Sequence, residues 1–206
     1  MIGKRKKAAL CAAALALTAG GWFAYQEIFT KGLERLPSRV CDGAADRDSV
    51  IRLLPETRSA KEQFRTTGTR DKFMFSCGIF AGDSILSGGV DVQDSSRIAW
   101  RKHYEAKASN AEGSSATAGE ISVLSRGDFS SIYIPCVPAG TEPSDARQEY
   151  ALIADVSVVG ESRITGLPLR QALADYAYEL TRRAYTLGKC QGTQDFPEQL
   201  PRFKEN

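Results

Sequence analysis

Ser84, in the stretch Gly82-Asp83-Ser84-Ile85-Leu86, is the hydroxyl whose setting invites a test for nucleophilic chemistry. A serine attacks only with a base placed to take its proton. The chain has a single histidine, His103, between Lys102 and Tyr104 and next to Arg101. A lone histidine among cations reads as a solvated surface group, and one such group shifts a pH equilibrium little. Asp91 and Asp94, with Glu120 or Asp155, are the carboxylates to weigh as cation ligands. Residues three apart on a strand do not share a face, and no Asp/Asn-rich loop of the calcium-binding kind is present. Arg126-Gly127-Asp128 matches a short adhesion tripeptide, and a turn explains the same three letters.

The block from Gly82 to Leu86 resembles the opening of the GDSL (SGNH) hydrolases, in which a serine at a strand-to-helix turn attacks an ester. That resemblance implies Ser84 as nucleophile and a histidine near the C-terminus, three residues after an aspartate. Here His103 lies early, Trp100 stands where the aspartate is required, and the family's Gly-x-Asn-Asp block is missing. Five residues match, and the residues after Ser84 read as strand. A Gly-Asp hairpin turn is the simpler account. The sequence therefore predicts no catalytic residue, no cofactor and no metal site. The esterase is kept as the least favoured function.

Five cysteines are present: Cys11 lies in an apolar run, and Cys41, Cys77, Cys136 and Cys190 follow it. None of the four is in a Cys-x-x-Cys pair or near the histidine, which argues against zinc. An even number in an exported domain reads as two disulfides, with three pairings open. The favoured pairing is Cys41–Cys77 with Cys136–Cys190. Each closes a loop of intermediate length, worth roughly 3–4 kcal/mol if unstrained.

Export itself is read from the start of the chain. Lys4-Arg5-Lys6-Lys7 precedes an uncharged apolar run from Ala8 to Tyr25. Eighteen residues at about 1.5 Å each give a helix of roughly 27 Å, close to the ~30 Å hydrocarbon core. The basic cluster has no counterpart after the run, so the positive-inside bias puts residues 1–7 in the cytoplasm and the bulk of the chain outside. Residues 8–25 are expected to be a retained signal-anchor, because Trp22, Phe23 and Tyr25 continue the run past the weak cleavage context Ala19-Gly20-Gly21. The alternative is secretion after cleavage. Residues 26–40 read as a stalk, 41–190 as the folded domain, and 191–206, with Pro197 and Pro201, as a flexible tail.

Within the domain, Ala44 to Leu54 has helical spacing. Glu62–Thr67, Lys72–Phe80, Ser84–Val92, Glu120–Leu124, Phe129–Cys136 and Glu149–Val159 read as strands. Phe73, Phe75, Cys77 and Ile79 alternate onto one face, as do Leu152, Ala154, Val156 and Val158. Gly88-Gly89 predicts a bulge or bend. Asp94–Tyr104 reads as a short helix. Lys107–Gly119 and Pro138–Asp145 read as loops, the first for its lack of large apolar residues. The clearest helix carries Leu169, Leu173, Tyr176, Leu180, Ala184 and Leu187 on one stripe, with Arg170, Asp175, Glu179 and Arg182 facing away. Pro168 stands at its start and Gly188 past its end. The expected fold is α+β: an antiparallel sheet of five to seven strands, covered on one face by helices from both ends of the domain.

The layout also resembles a family of single-pass, membrane-anchored envelope proteins of actinobacteria. The resembling features are the basic start, the anchor ending Gly-Gly-Trp-Phe-Ala-Tyr, and Leu36-Pro37-Ser38-Arg39-Val40-Cys41. Ile134-Pro135-Cys136 and the closing Gly188-Lys189-Cys190 also match. This resemblance implies location and disulfides, and no activity. Charge agrees with a protein that does not bind nucleic acid: beyond residue 29 the chain has 23 basic and 24 acidic residues. The expected function is a non-enzymatic, membrane-tethered domain that binds an envelope protein, wall or lipid component. The alternative is a carrier or sensor for a small apolar molecule, with Phe73, Phe75, Phe80, Trp100, Phe129 and Tyr133 as candidate pocket residues.

Overall fold

Strand β10 (Tyr150–Val159) is the axis on which the other strands are laid. In the computed structural model it pairs antiparallel with β5 (Ser84–Asp94) on one side and β8 (Phe129–Pro135) on the other. Outward from β5 run β4 (Met74–Ala81) and β3 (Ala60–Thr67); outward from β8 run β7 (Ile121–Arg126) and β6 (Gly113–Ala118). The result is a seven-stranded antiparallel sheet in the order β3-β4-β5-β10-β8-β7-β6. Two short ribbons accompany it, β1 (Arg39–Val40) with β2 (Ala45–Asp46) and β9 (Val137–Pro138) with β11 (Cys190–Gln191). The structure describes residues 21, 22, 25, 29–106, 113–141 and 149–204. Most of the expected anchor, residues 8–20, 23 and 24, lies outside them, as do the basic tail 1–7, residues 26–28 of the expected stalk, and 107–112 and 142–145 of the expected loops. Among the described residues no helix is long and apolar enough to cross a membrane.

Alternation makes the sheet two-faced. One face carries Phe75, Cys77, Ile79, Leu86, Val90, Leu152, Ala154, Val156, Ile132 and Ile134, all buried. Helix α3 (Gly166–Leu187) lies across it, with Leu169, Leu173, Tyr176, Leu180 and Ala184 in the core. Helix α1 (Arg47–Leu53) packs mainly on α3 rather than on the sheet, so the expectation that both terminal helices cover the sheet is corrected: among the described helices it is α3 that lies across that face. Helix α2 (Arg97–Ala106) crosses the opposite face.

The outward side of α3 also differs from expectation. Arg170 is buried where α3 crosses β6 and β7, its Nε donating to Ser114 Oγ at 3.0 Å, and Glu179 is partly buried against the residues that lead into α1. Residues 196–203, read from sequence as part of a loose tail, lie against α3. Leu200 is buried, the Tyr178 hydroxyl donates to the Pro197 carbonyl at 2.6 Å, and the Phe203 amide donates to Gln171 Oε1 at 2.8 Å. Gly113 to Ala118, read as loop, is strand β6, which pairs with β7 residue for residue. The two disulfides are Cys41–Cys77 and Cys136–Cys190, with Cα atoms 5.7 and 4.9 Å apart. The first ties the turn before α1 to β4; the second ties the end of β8 to the strand after α3.

Gly88-Gly89 makes no bulge: β5 stays in register with β4 and β10 through both residues. Gly88 is needed for another reason. A Cβ there would lie 2.4 Å from Leu180 Cδ1, so the missing side chain lets α3 settle onto the sheet.

Candidate functional site

The face away from α3 is built from the other half of the alternation: Ala151, Ile153, Asp155, Ser157 and Val159 on β10, and Ile85, Ser87, Gly89 and Asp91 on β5. Part of it is apolar and covered by α2. Trp100 is buried against Tyr133, Ala151 and Ile153, and its indole N–H donates to Ser131 Oγ at 2.9 Å. That bond satisfies the one polar atom of a buried tryptophan, so α2 is docked by burial and oriented by a hydrogen bond. One turn later Tyr104 reaches past the apolar patch. Its hydroxyl donates to Asp155, with oxygens 2.6 and 2.8 Å away, and its ring stacks on Phe129 at 5.6 Å and 20°.

Beyond Tyr104 the face opens into a cleft of about 670 Å³, lined by Tyr104, Leu124, Arg126, Asp128, Phe129 and Asp155 among others. Asp91 and Asp155 lie diagonally on adjacent strands of this face, since Asp155 is opposite Gly89 and Asp91 opposite Ile153. Burial pushes the Asp91 carboxyl above its usual range, the Gln93 amide at 2.9 Å opposes this, and the Asp155 charge adds to it. Burial, followed by the bond to Asp155, drives the Tyr104 phenol upward as well, so it stays a neutral donor at physiological pH. The cleft therefore offers an aromatic platform, a carboxylate held by a phenol, and a guanidinium at its rim. This arrangement can recognise a ligand; its one hydroxyl bonded to a carboxylate, that of Tyr104, is held protonated by burial and by Asp155.

The sequence candidates are scattered by the fold. Ser84 is buried at the start of β5 on the α3 side, where its Oγ accepts the Glu161 amide at 2.9 Å. His103 is exposed on α2, across the sheet from Ser84, in an edge contact with the Tyr104 ring. Asp91 and Asp94 point to opposite faces of β5; Asp91 meets Asp155, whereas Glu120 sits beside Arg97, 3.9 Å away. Among the described residues no group of three or more metal-ligating side chains converges. Arg126-Gly127-Asp128 turns β7 into β8, with Gly127 at φ 56°. The six aromatic candidates do not share a pocket. Phe73 and Phe75 are core, Trp100 and Tyr133 lie beneath α2, Phe80 is exposed, and Phe129 enters the cleft. The Tyr104–Asp155 pair escaped the sequence reading because 51 residues separate its members. The one signal was the helical spacing of Trp100 and Tyr104.

A second cleft, of about 570 Å³, lies between α1, α3 and the C-terminal segment. Three of its arginines are matched: Arg39 with Asp46 and Arg202 with Asp175 at 3.0 Å, and Arg183 with Asp42 at 2.7 Å. Glu179 accepts the Ser49 hydroxyl at 2.5 Å and the Asp46 amide at 2.6 Å, which pins α1 to α3. Burial raises the Glu179 carboxyl despite both bonds. These contacts hold the fold together. Compared with known proteins, the chain matches no family model, no curated protein and no solved structure.

Proposed function

We infer that this chain is an exported binding domain, tethered to a membrane by its N-terminal segment, and that it meets an envelope protein, wall or lipid component through the face bearing α2. No bond-making chemistry is assigned to it. The observation that carries the reading is the open cleft beside Tyr104, Phe129 and Asp155, which gathers an aromatic ring, a carboxylate and the Arg126 guanidinium as recognition groups. Two disulfides support an oxidising compartment, where such bonds persist. A second reading, a carrier of a small apolar molecule, draws on the same cleft, whose volume falls in the range of ligand pockets.

The test is a photoreactive residue at Phe129 of the full chain in its native cells. Capture of an envelope protein, wall fragment or lipid that is lost in Tyr104→Ala supports the first reading. Capture of a small apolar molecule supports the second. Adducts only to cytoplasmic proteins, with Cys41, Cys77, Cys136 and Cys190 reduced in the same cells, overturn both.

A further inference from the structure

The sheet has two rims, and they are unlike. β6 is short and made of small residues, whereas β3 is eight residues long and bonded along one side only, to β4. Residues Lys61 and Gln63 through Thr67 are exposed, and among the described residues no backbone hydrogen bond reaches the outer side of β3. Such a rim presents unpaired amides and carbonyls to any extended segment that matches it. We propose that the matching segment is β3 of a second copy, and that two chains join antiparallel about a two-fold axis at Phe64, making the two sheets continuous.

Two copies of β3 can pair in one register without setting like charges opposite, and that register places the exposed Phe64 at the axis. A two-fold axis normal to the sheet keeps the α3-covered faces on one side, so opposed residues must come from the same set of alternating positions. Centred at Phe64, the pairing sets Phe64 against Phe64 of the second copy, Gln63 against Arg65, Glu62 against Thr66 and Lys61 against Thr67. No like charges stand directly opposite one another. Moving the axis to Gln63 sets Lys61 against Arg65; moving it to Glu62 or Arg65 sets a charge against itself; moving it to Thr66 shortens the overlap. Like charges directly opposite destabilise a pair of strands.

Phe64 supplies the second argument. It pairs with Cys77 and so shares the apolar face, yet it is 46% exposed because α3 does not extend over the rim. Opposed across the axis, the two rings cover each other. Lys61 and Arg65 of the two copies sit diagonally, about 7–8 Å apart and exposed, so their repulsion is screened by salt.

The experiment uses the full chain with Cys11→Ser, in native membranes and in detergent, under mild oxidation. Phe64→Cys is expected to give a disulfide-linked dimer, on the order of ten-fold more than Lys61→Cys alone, because only the first places its cysteines within bridging distance. Chains carrying Lys61→Cys mixed with chains carrying Thr67→Cys are expected to cross-link to each other. Sedimentation of the chain without added cysteines is expected to give two copies, and one copy for Gln63→Pro. A Phe64→Cys chain that stays monomeric, together with Lys61→Cys and Thr67→Cys chains that do not cross-link to each other, overturns the proposal. So does Lys61→Cys cross-linking alone as well as Phe64→Cys, or a ladder of higher oligomers, which would mean open-ended pairing of β3 with β6.

Discussion

On the α3 side of β5, a side chain added at Gly88 would meet Leu180 at 2.4 Å; one residue further, on the other side, a side chain added at Gly89 would meet nothing within 4 Å. Neighbouring glycines on one strand thus answer to different demands. Under α3 the sheet is sealed by large apolar residues, and the helix is clamped from behind by α1 and the C-terminal segment. Across the sheet, Trp100 seals only part of the face, and the rest is left to Ser87, Asp91, Asp155 and Ser157 beside an open cleft. Stability is concentrated on one face, which leaves the other free to be polar and recognisable. That division is the physical basis for reading the domain as a binder.

The sharpest way to break the contrast is to truncate one residue on each side. Leu180→Ala should cost about 3 kcal/mol in denaturant unfolding, since it leaves a cavity in a fully buried site. Ser87→Ala should stay within about 0.5 kcal/mol, as an exposed polar residue does. The glycine pair gives the next largest effect. Gly88→Ala should destabilise by about 1–3 kcal/mol through overpacking, whereas Gly89→Ala should be neutral or slightly stabilising. Equal costs at the two glycines would mean that α3 does not sit as closely as described.

Smaller effects sharpen the picture. Tyr104→Phe removes the donor to Asp155 and should cost about 1 kcal/mol of stability while lowering capture at the cleft. The two partly buried carboxylates, Glu179 behind α3 and Asp91 on the open face, are both raised, chiefly by burial. A raised folded-state value means that the folded chain holds the proton more tightly than the unfolded one. Each therefore contributes stability below its unfolded value, 4.5 for Glu179 and 3.8 for Asp91, and that contribution is lost as pH rises through the raised folded value. Glu179→Gln and Asp91→Asn should each flatten the decline of stability with rising pH in thermal unfolding followed from acid to neutral pH. A steeper decline in either variant would reverse the sign argued here.

Much of the sealed face was legible because large residues alternate there. Phe73 to Ile79 and Leu152 to Val158 announce strands with one apolar side, and the stripe from Leu169 to Ala184 announces the helix that covers them. Periodicity says nothing about what lies behind a helix, so the partial burial of Glu179 and Asp175 on the outer side of α3 was not readable, and Arg170 is buried by β6, itself unread. β6 hides for the opposite reason: Gly113-Ser114-Ser115-Ala116 has no large residue to alternate, and its pairing with β7 is a tertiary fact. Gly88 was misread because a glycine in a strand serves equally as a bulge or as a seat for a neighbour. The open face was least legible. Its β10 positions run Ala151, Ile153, Asp155, Ser157, a mixture with no simple hydropathy pattern, and its polar partners come from α2.

The measurement closest to the heart of this account is a walk of one photoreactive residue across both sides of the full chain in its native cells. Positions Ser76, Ser87 and Ser157 sample the open face, and Asp48 and Arg182 sample the far side of α3. Adducts to an envelope component are expected from the open face and none from the far side. Adducts of equal yield from Asp48 and Arg182, with none from Ser87 and Ser157, would contradict this expectation.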